Sequence, residues 1–496
     1  MANIGKSVKL GVFTLAIMNV TAVVSLRGLA SEAVYGLSSA FYYLFAAIVF
    51  LIPMALVAAE LAAMFQDKQG GVFRWVGEAY GKKVGFLAIW LQWIQNTIWY
   101  PTVLTFGAVS LAFIGMDSAH DMTLASNRVY TLLIVLVIYW LATFISLKGM
   151  DWVGKVSKIG GLVGTIIPAG LLVLLAIVYL VSGGTPQMDF HGSFFPDLSN
   201  FNNLVLAASI FLFYAGMEMG GIHVKDVDNP SKNYPKAVFI GSFITVLIFI
   251  LGTFSLGIII PSKEINLTQS LLVGFDRYFA YIHASWLGPV IAIALAFGVL
   301  AGVLTWVAGP SKGIYAVGKA GYLPPFFQKS NAKGVQKNIL LIQGGLVTIL
   351  SLLFVVMPSV QSFYQILSQL TVLLYLIMYL LMFSAAIYLR YSMKDTARPF
   401  RIGSKGNGLM WFVGGLGFCG SLLAFILSFI PPTQISVGSN AVWYAILFTG
   451  GIVVVAAPFI IYALRKPSWV DANSRLEPFH WEEQSAITPN PSHNDK

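Results

Sequence analysis

The sequence predicts an all-α integral membrane protein with twelve transmembrane helices, and three observations lead to that fold class. Apolar residues make up 57% of the 496 positions and charged residues only 10%, with a mean hydropathy of +0.78. Apolar runs of about 20 residues, the length that crosses a bilayer as a helix, recur along the chain. These runs lack the period-two alternation of apolar and polar residues that β-barrel strands show. A soluble fold and a β-barrel are both excluded.

Twelve apolar runs account for most of the chain, and the loops between them are too short to hold a soluble domain. The predicted spans are, approximately, 9–33, 39–64, 84–114, 129–147, 156–182, 202–224, 236–260, 287–314, 338–357, 361–389, 409–430 and 440–464. The first run is too long for the apolar core of a signal peptide and leads directly into a second span. We therefore expect it to remain as a helix.

Basic residues are concentrated on one side of the predicted membrane. With a cytoplasmic N-terminus, all but four of the 30 lysine and arginine residues fall in cytoplasmic loops and tails. Arg128, Lys263 and Arg277 fall on the other side, and Arg27 falls within a span. This bias follows the positive-inside rule and predicts a multi-pass protein of the bacterial inner membrane with both termini cytoplasmic. The net charge of +10 is thereby assigned to the membrane surface, and no nucleic-acid partner is predicted.

The sequence contains no pattern that indicates catalysis or metal binding. Cys419 is the single cysteine and lies in an apolar run, which leaves no disulfide framework and no metal-ligand spacing. There is no P-loop and no hydrolase, kinase or redox motif. We therefore predict that the protein is not an enzyme, that it has no catalytic residues, metal or cofactor, and that a gradient of solute or protons drives it.

Two predicted spans contain weak points in their helices. The first has polar and β-branched residues over 19–28, and the sixth has several glycines over 211–221. At about 1.5 Å per residue through a core of roughly 30 Å, the midplane falls near 20–22 in the first span and near 213–214 in the sixth. Paired breaks in corresponding helices are typical of transporters that bind substrate between two inverted repeats.

The matched breaks predict a five-plus-five inverted repeat with two additional C-terminal helices. The predicted units are a cytoplasmic N-terminus (1–8), a first five-helix repeat (9–182), a second, inverted five-helix repeat (202–389), helices 11 and 12 (409–464) and a cytoplasmic tail (465–496).

Charged side chains within or beside the spans are costly in lipid and suggest a function. Glu218 lies in the break of the sixth span, where it binds a substrate ammonium, carries a proton or caps the inner half-helix. Glu60 lies near the cytoplasmic end of the second span and is interpreted as structural. Arg27 and Glu32 either pair with each other or leave Arg27 to attract a carboxylate. His223 is either a pH-sensing group or a capping or hinge residue.

Polar and aromatic side chains also recur near the predicted midplane. Two sets of polar residues have the i, i+3, i+4 spacing of one helix face and either line a cavity or bond neighbouring helices: Gln92, Gln95 and Asn96, and Gln365, Ser368 and Gln369. Four aromatic residues that combine a ring with a hydrogen-bonding group are candidates for a cavity wall: Tyr214, Trp306, Tyr375 and Tyr379.

These features resemble the amino acid–polyamine–organocation (APC) transporters, and within them the glutamate:γ-aminobutyrate antiporter family. The similarity runs nearly end to end, from Gly11 to about Leu464. The matching stretches are 59–61, 70–73, 194–197, 214–218, 223–235, 264–267 and 309–315. Their order and spacing together are specific to this family.

The resemblance implies a LeuT-like fold and an exchanger that takes up an amino acid and exports the amine made from it, coupled functionally to a cytoplasmic decarboxylase. It also implies that main-chain groups of the two breaks hold the α-carboxylate and α-amine of the substrate. The predicted substrate-binding residues are Val20, Thr21, Ala22, Val23, Gln95, Tyr214, Gly216, Glu218, Trp306, Tyr375 and Tyr379, and the candidate gating or pH-sensing residues are Arg27, Glu32 and His223.

Some positions depart from the family pattern and leave the substrate open. Gly302 stands where the well-known glutamate exchanger has an acidic residue, and the tail after Lys466 is shorter than the plug of that exchanger. His480 and Trp481 are nevertheless placed where they can fold back on the cytoplasmic mouth. Glutamate, tyrosine, histidine or agmatine exchange all fit, and the alternatives are a proton-coupled amino acid symporter and a channel or non-transporting receptor.

Overall fold

The computed structural model describes residues 11–196, 206–218, 227–432, 439–472, 474 and 476–487. Within these ranges the chain is helical and contains no β-strand, although an isolated bridge joins Ala320 and Val470. We number the helices that occupy the predicted spans in chain order. They are α1 (Val12–Val23), α2 (Ser38–Met64), α3 (Lys82–Ala112), α4 (Arg128–Leu147), α5 (Trp152–Val181), α6 (Ser209–Tyr214), α7 (Pro230–Ile259), α8 (Leu287–Lys319), α9 (Lys337–Val356), α10 (Val360–Ser392), α11 (Gly408–Leu427) and α12 (Asn440–Ala463).

Nine of these helices, within the described residues, are long and apolar enough to cross a membrane. α1 and α6 are too short, because each ends inside its predicted span. α3 has 31 residues but carries Gln92, Gln95 and Asn96 near its centre and is too polar. The predicted all-α membrane class is confirmed, and all three exceptions among the described helices are elements for which polar or broken segments were predicted.

The most buried of these nine helices are α2 and α10. In α10, 72% of the most apolar stretch is buried inside the protein, whereas the corresponding share for α12 is 17%. α10 packs against α3, α11 and α12 and against the short helix Val72–Tyr80. Large apolar side chains instead cover the outer helices, as on α4, where an exposed row at helical spacing consists of Leu133, Val137, Leu141 and Phe144. Such a surface suits contact with lipid.

Two helices widen locally at a proline. α2 contains a π-helical turn at Ala47–Leu51 followed by Pro53, and α5 contains one at Leu162–Ile166 followed by Pro168. Proline lacks the N–H that would bond to the preceding turn, so the turn before it opens. π-helical turns are frequent at functional sites, and the turn in α5 borders the cavity described below.

The loops form two separate faces. One, which we call the basic face, includes the segment 65–71, the segment 320–336, the loop 393–407 and the described tail residues 465–472, 474 and 476–487. On this face, Lys333 Nζ donates to the Lys148 carbonyl at 2.9 Å. On the other, the opposite face, Arg128 Nη1 donates to the Met357 carbonyl at 2.6 Å.

The C-terminal tail folds back along the basic face. Its Phe479 ring lies so close to Gly77 that a Cβ there would be 2.5 Å from the ring, and Arg74 lies over that ring at 4.7 Å. His480 N donates to the Glu78 carboxylate at 3.0 Å, and Trp481 Nε1 donates to the Gly77 carbonyl at 3.2 Å. The predicted return of His480 and Trp481 to this face is confirmed.

Candidate functional site

The first helix break lies at Val24 and Ser25. α1 remains helical through Val23, and Val24 and Ser25 then take extended conformations, with ψ of 121° and 124°. The chain resumes as a single 3₁₀ turn, Leu26–Gly28, followed by the short helix Leu29–Ala33. β-branched valines at the end of α1 favour the extended conformation. The break is therefore just C-terminal to the predicted stretch 20–23.

The second break lies at Ala215 and Gly216, as expected from the glycines of the sixth span. Ala215 is extended, with ψ of 144°, and Gly216 has a φ of 115°, which side-chain-bearing residues rarely adopt. Ending α6 here frees the Gly216 N–H, which donates to Glu218 Oε2 at 3.0 Å and to the Tyr379 hydroxyl at 3.1 Å. The Glu218 carboxylate thus accepts the N–H that a main-chain carbonyl would accept in an uninterrupted helix.

Glu218 is held from three directions by protein groups. Its Oε1 accepts a hydrogen bond from the Tyr375 hydroxyl, and its Oε2 accepts one from the Tyr379 hydroxyl at 2.7 Å as well as the Gly216 N–H. The two tyrosines are one turn apart on α10 and stack with ring centroids at 4.6 Å. This is the bonding pattern of a carboxylate that caps a helix break and fixes it to α10.

A cavity of about 1210 Å³ adjoins both breaks. It reaches the loop residues Gln66, Lys68 and Gln69, so it opens at the basic face. The predicted substrate-binding residues that line it are Val23, Gln95, Glu218, Trp306 and Tyr375. Gln92 and Asn96, which share a predicted polar face with Gln95, also line it, as does Arg27. Three helices that the sequence predicted as walls, α3, α8 and α10, all contribute. The cavity also runs along α5, which the sequence analysis did not include.

Arg27 is the buried cation in the lining of the cavity. Its side chain is buried, with 4% exposure, and its guanidinium lies 5.3 Å from the Trp99 ring, 5.6 Å from the Phe213 ring and 5.9 Å from the Tyr364 ring. Nη1 donates to the Thr102 hydroxyl at 3.3 Å, whereas Nε has no hydrogen-bond partner among the described residues. The charge is surrounded by aromatic faces that attract cations, and a donor remains free beside the cavity.

Two comparisons with known proteins place the chain in one family. The family model for amino acid permeases matches residues 10–453. A glutamate/γ-aminobutyrate antiporter of Lactococcus lactis subsp. lactis is 33% identical over 429 residues, which cover 86% of this chain and 84% of that protein.

The chain belongs to the amino acid permease family. An uncharacterized transporter of Legionella pneumophila is 37% identical to this permease over 91% of its chain and 96% of the relative. A probable agmatine/putrescine antiporter of Lactococcus lactis subsp. lactis is 25% identical over 84% and 87%. The predicted resemblance to APC transporters and their glutamate/γ-aminobutyrate antiporters is confirmed, and the permease is a multi-pass membrane protein of an amino acid transporter family.

Arg27 and Glu32 do not form the ion pair that was one of the two predictions for them. Glu32 Oε1 accepts from the Ser209 hydroxyl at 2.9 Å and from Ser31, and no ion pair joins it to Arg27 in the described part of the chain. Helical residues face each other at spacings of three or four. Five positions apart, Arg27 points toward α3 and α10 and Glu32 points toward α6.

The other predicted residues lie near the cavity or outside the described ranges. Tyr214 is fully buried and donates to the Tyr43 carbonyl at 3.1 Å, on the side of α2. Val20 is buried on α1, and only the helical main chain of Thr21 and Ala22 is described. His223 lies outside the residues that the structure describes.

The sequence analysis missed the contribution of α5 to the site of the permease. Ser157, Lys158 and Gly161 of this helix line the cavity, and Ser157 donates to the Ala301 carbonyl of α8 at 3.1 Å. Glycine and serine side chains are small and uncharged, so their presence in a span does not by itself predict a ligand-binding site. The signal that could have found them is the small-residue spacing of close helix packing, which places α5 beside α8.

Proposed function

We propose that this permease is a secondary-active antiporter of the inner membrane that exchanges an external amino acid for an internal amine by alternating access. The observation that carries the proposal is the cavity, which adjoins both helix breaks, opens at the basic face and has the buried Arg27 in its lining. A binding site with one open side at a time is what an exchanger requires.

The breaks supply the groups that an amino acid needs. The first N–H groups of a helical segment and the last carbonyls have no partner within the helix. The segment that restarts at Leu26 therefore offers N–H groups to a carboxylate, and the carbonyl ends of α1 and α6 offer acceptors to an ammonium group. Arg27 adds a free N–H donor beside the same cavity.

Charge favours a substrate with an acidic group. Four basic side chains line the cavity, namely Arg27, Lys68, Lys158 and Lys312, against the single described carboxylate Glu218. Both oxygens of Glu218 are already hydrogen-bonded to protein groups. Together with the antiporter relatives, this supports glutamate as the external substrate and γ-aminobutyrate as the internal one.

The same proposal includes the membrane arrangement. Twelve spans in a five-plus-five inverted repeat, with α11 and α12 added, would place α1 and α6 as the paired broken helices. The basic face would be cytoplasmic, with both termini on that side. Exchange of an amino acid for its decarboxylated amine would couple the permease functionally to a cytoplasmic decarboxylase.

Transport by purified permease in liposomes tests this function. Vesicles are loaded with γ-aminobutyrate, with glutamate or with buffer, and uptake of labelled glutamate is followed. An antiporter takes up label only when a counter-substrate is inside. Protein-free vesicles provide the background.

Three outcomes would contradict the proposal. Uptake into empty vesicles that requires an imposed pH gradient would identify a proton-coupled symporter. Uptake or conductance that does not saturate would identify a channel. Binding of glutamate without any flux would identify a receptor.

A further inference from the structure

The crossing of α5 and α8 is closed by glycines that permit direct backbone contact. A Cβ on Gly164 would lie 2.3 Å from the Gly298 Cα, and a Cβ on Gly160 would lie 2.3 Å from the Ala301 Cβ. No side chain larger than the present ones fits between the helices at these positions. Gly160, Gly164 and Gly298 are therefore explained by helix packing.

Gly161 follows Gly160 on α5, and Gly302 follows Ala301 on α8. Helix packing does not explain why these two positions are glycine. Around a Cβ on either one, no atom of the described residues lies within 4 Å outside the local helix backbone, so packing does not require glycine there. Both lie in helical conformation without a positive φ, so neither is needed for the backbone. Glycine is less favourable than alanine inside a helix, and these two glycines differ from open helical glycines such as Gly170 and Gly415 because they line the cavity.

Both glycines line the cavity. Because they are bare, the cavity wall at the α5–α8 crossing consists of two exposed backbones, and a side chain at either position would project into the space. Trp306, one turn beyond Gly302, packs its ring 6.1 Å from Trp99, which in turn lies under Arg27. The rings of Trp306 and Trp99 thus connect the glycine wall to the buried guanidinium of Arg27. Arg27 lines the same cavity, and its Nε has no hydrogen-bond partner among the described residues.

We propose that Gly161 and Gly302 determine how long a substrate side chain the permease accepts. With the α-carboxylate and α-amine held at the helix breaks, the far end of the substrate extends along the bare α5–α8 wall. This inference rests on the proposed exchange function and adds the residues that set its size selectivity. A methyl group on either glycine occupies volume that a longer side chain needs, and a shorter side chain does not reach it.

Chain length provides the test. L-aspartate, L-glutamate and L-2-aminoadipate carry the same charges and differ by one methylene each. Their kcat/KM values are measured in γ-aminobutyrate-loaded liposomes for the wild type and for Gly161→Ala, Gly302→Ala and Gly302→Val. We expect the alanine variants to lower the ratio of the longest accepted substrate to aspartate about tenfold, as one methylene does in a fitted pocket, and Gly302→Val to lower it further.

Matched controls are available in the same membrane protein. Gly170 on α5 and Gly415 on α11 also have no atom within 4 Å of a Cβ, but neither lines the cavity. Gly170→Ala and Gly415→Ala should leave the ratio unchanged within about twofold, a small free-energy difference. An unchanged ratio in Gly302→Val, with wild-type exchange intact, overturns this inference alone. No exchange of any of the three acids by the wild type overturns the proposed function and this inference with it.

A labelling measurement covers the case in which the valine variant fails to fold. Gly302→Cys is made in a Cys419→Ser background, which removes the only native cysteine. A water-soluble thiol reagent applied from the basic face should modify the new cysteine, and saturating glutamate should slow the modification at least about tenfold, as expected for 90% occupancy. A rate that glutamate does not change would show that the substrate does not approach the bare wall and would overturn the inference.

Discussion

Glu60 on α2 and Arg390 on α10, 330 positions apart in the chain, form a buried ion pair through two nitrogen–oxygen contacts, one of them at 2.6 Å. Both side chains are almost fully excluded from solvent. The same carboxylate is 3.3 Å from Arg398 and accepts the Ile402 N–H at 2.7 Å. Burial lowers the pKa of Arg398, and the charge of Glu60 opposes that effect. The pair joins α2 and α10 to the loop that follows α10.

Glu60→Gln should destabilise the permease strongly. The substitution leaves Arg390 and Arg398 buried without a countercharge, and removing one partner of a buried pair costs about 3–5 kcal/mol. Denaturant unfolding in detergent micelles measures the loss. The matched control is Glu264→Gln on the opposite face, where Glu264 and Arg277 pair at 2.6 Å but remain 54% and 38% exposed. Its effect should stay below about 1 kcal/mol, and equal losses would contradict a structural role for Glu60.

Tyr379→Phe should impair transport more than folding. The hydroxyl of Tyr379 bonds to both Glu218 and the Gly216 N–H, so its loss leaves the second helix break partly unsatisfied. Losing one partner of a buried hydrogen bond costs about 1–3 kcal/mol, which corresponds to a decrease in exchange kcat/KM of about five- to 150-fold.

The control for Tyr379→Phe is Tyr139→Phe. The Tyr139 hydroxyl is also buried and accepts a hydrogen bond from Gln343 at 2.9 Å, but this bond involves neither a helix break nor Glu218. This variant should lower the melting temperature while changing kcat/KM less than about threefold, since no transport contact is lost. A similar loss of exchange in both variants would mean that the Glu218 cluster has no special role in transport.

Gln369→Leu should stabilise the observed conformation and slow exchange. Within the described part of the chain, both polar atoms of Gln369 are buried without a hydrogen-bond partner, as is Gln365 Nε2. These groups lie on α10 between Tyr375 and the opposite face, where opening toward that face would hydrate them. Leucine removes the cost of a buried unsatisfied polar group, about 1–3 kcal/mol. The observed conformation, closed toward the opposite face, is therefore stabilised, and the conformation open toward that face is not.

Gln343→Leu is the counterpart for this prediction. Gln343 accepts from Trp93 Nε1 at 2.8 Å and donates to the Tyr139 hydroxyl at 2.9 Å, so its replacement leaves partners unsatisfied. Melting temperature should rise in Gln369→Leu and fall in Gln343→Leu. A lower melting temperature in Gln369→Leu would indicate that its side chain is bonded in the native state.

Local features of the sequence predicted both helix breaks, because β-branched residues and glycine act on the backbone directly. Long-range pairings were less predictable. Nothing near Arg27 in the sequence indicates that Trp99, Phe213 and Tyr364 surround it, since these rings come from three distant helices. The glycine wall of α5 was missed for another reason, namely that its feature is an absent side chain.

Asp276 gives the permease a pH-dependent contribution to stability at the opposite face. It lies in the helix Ser270–Tyr281, and its Oδ2 accepts from the Ser118 hydroxyl at 3.4 Å. Burial and then the charge of Asp121 raise the pKa of Asp276 to about 6, against the opposing hydrogen bond from Ser118. The unfolded chain has a value near 3.9. The folded state therefore binds the proton more tightly, and its stabilisation is complete below about pH 4 and lost as pH rises to about 6.

Asp276→Asn should remove this dependence. The variant should match the wild type near pH 4 and become progressively more stable than it between about pH 4 and 6, with a constant difference above that range, because only the wild type then buries a charge. Melting temperatures of both proteins at half-unit pH intervals measure the difference curve. A difference between Asp276→Asn and the wild type that does not change with pH would show that Asp276 titrates as it does in the unfolded chain.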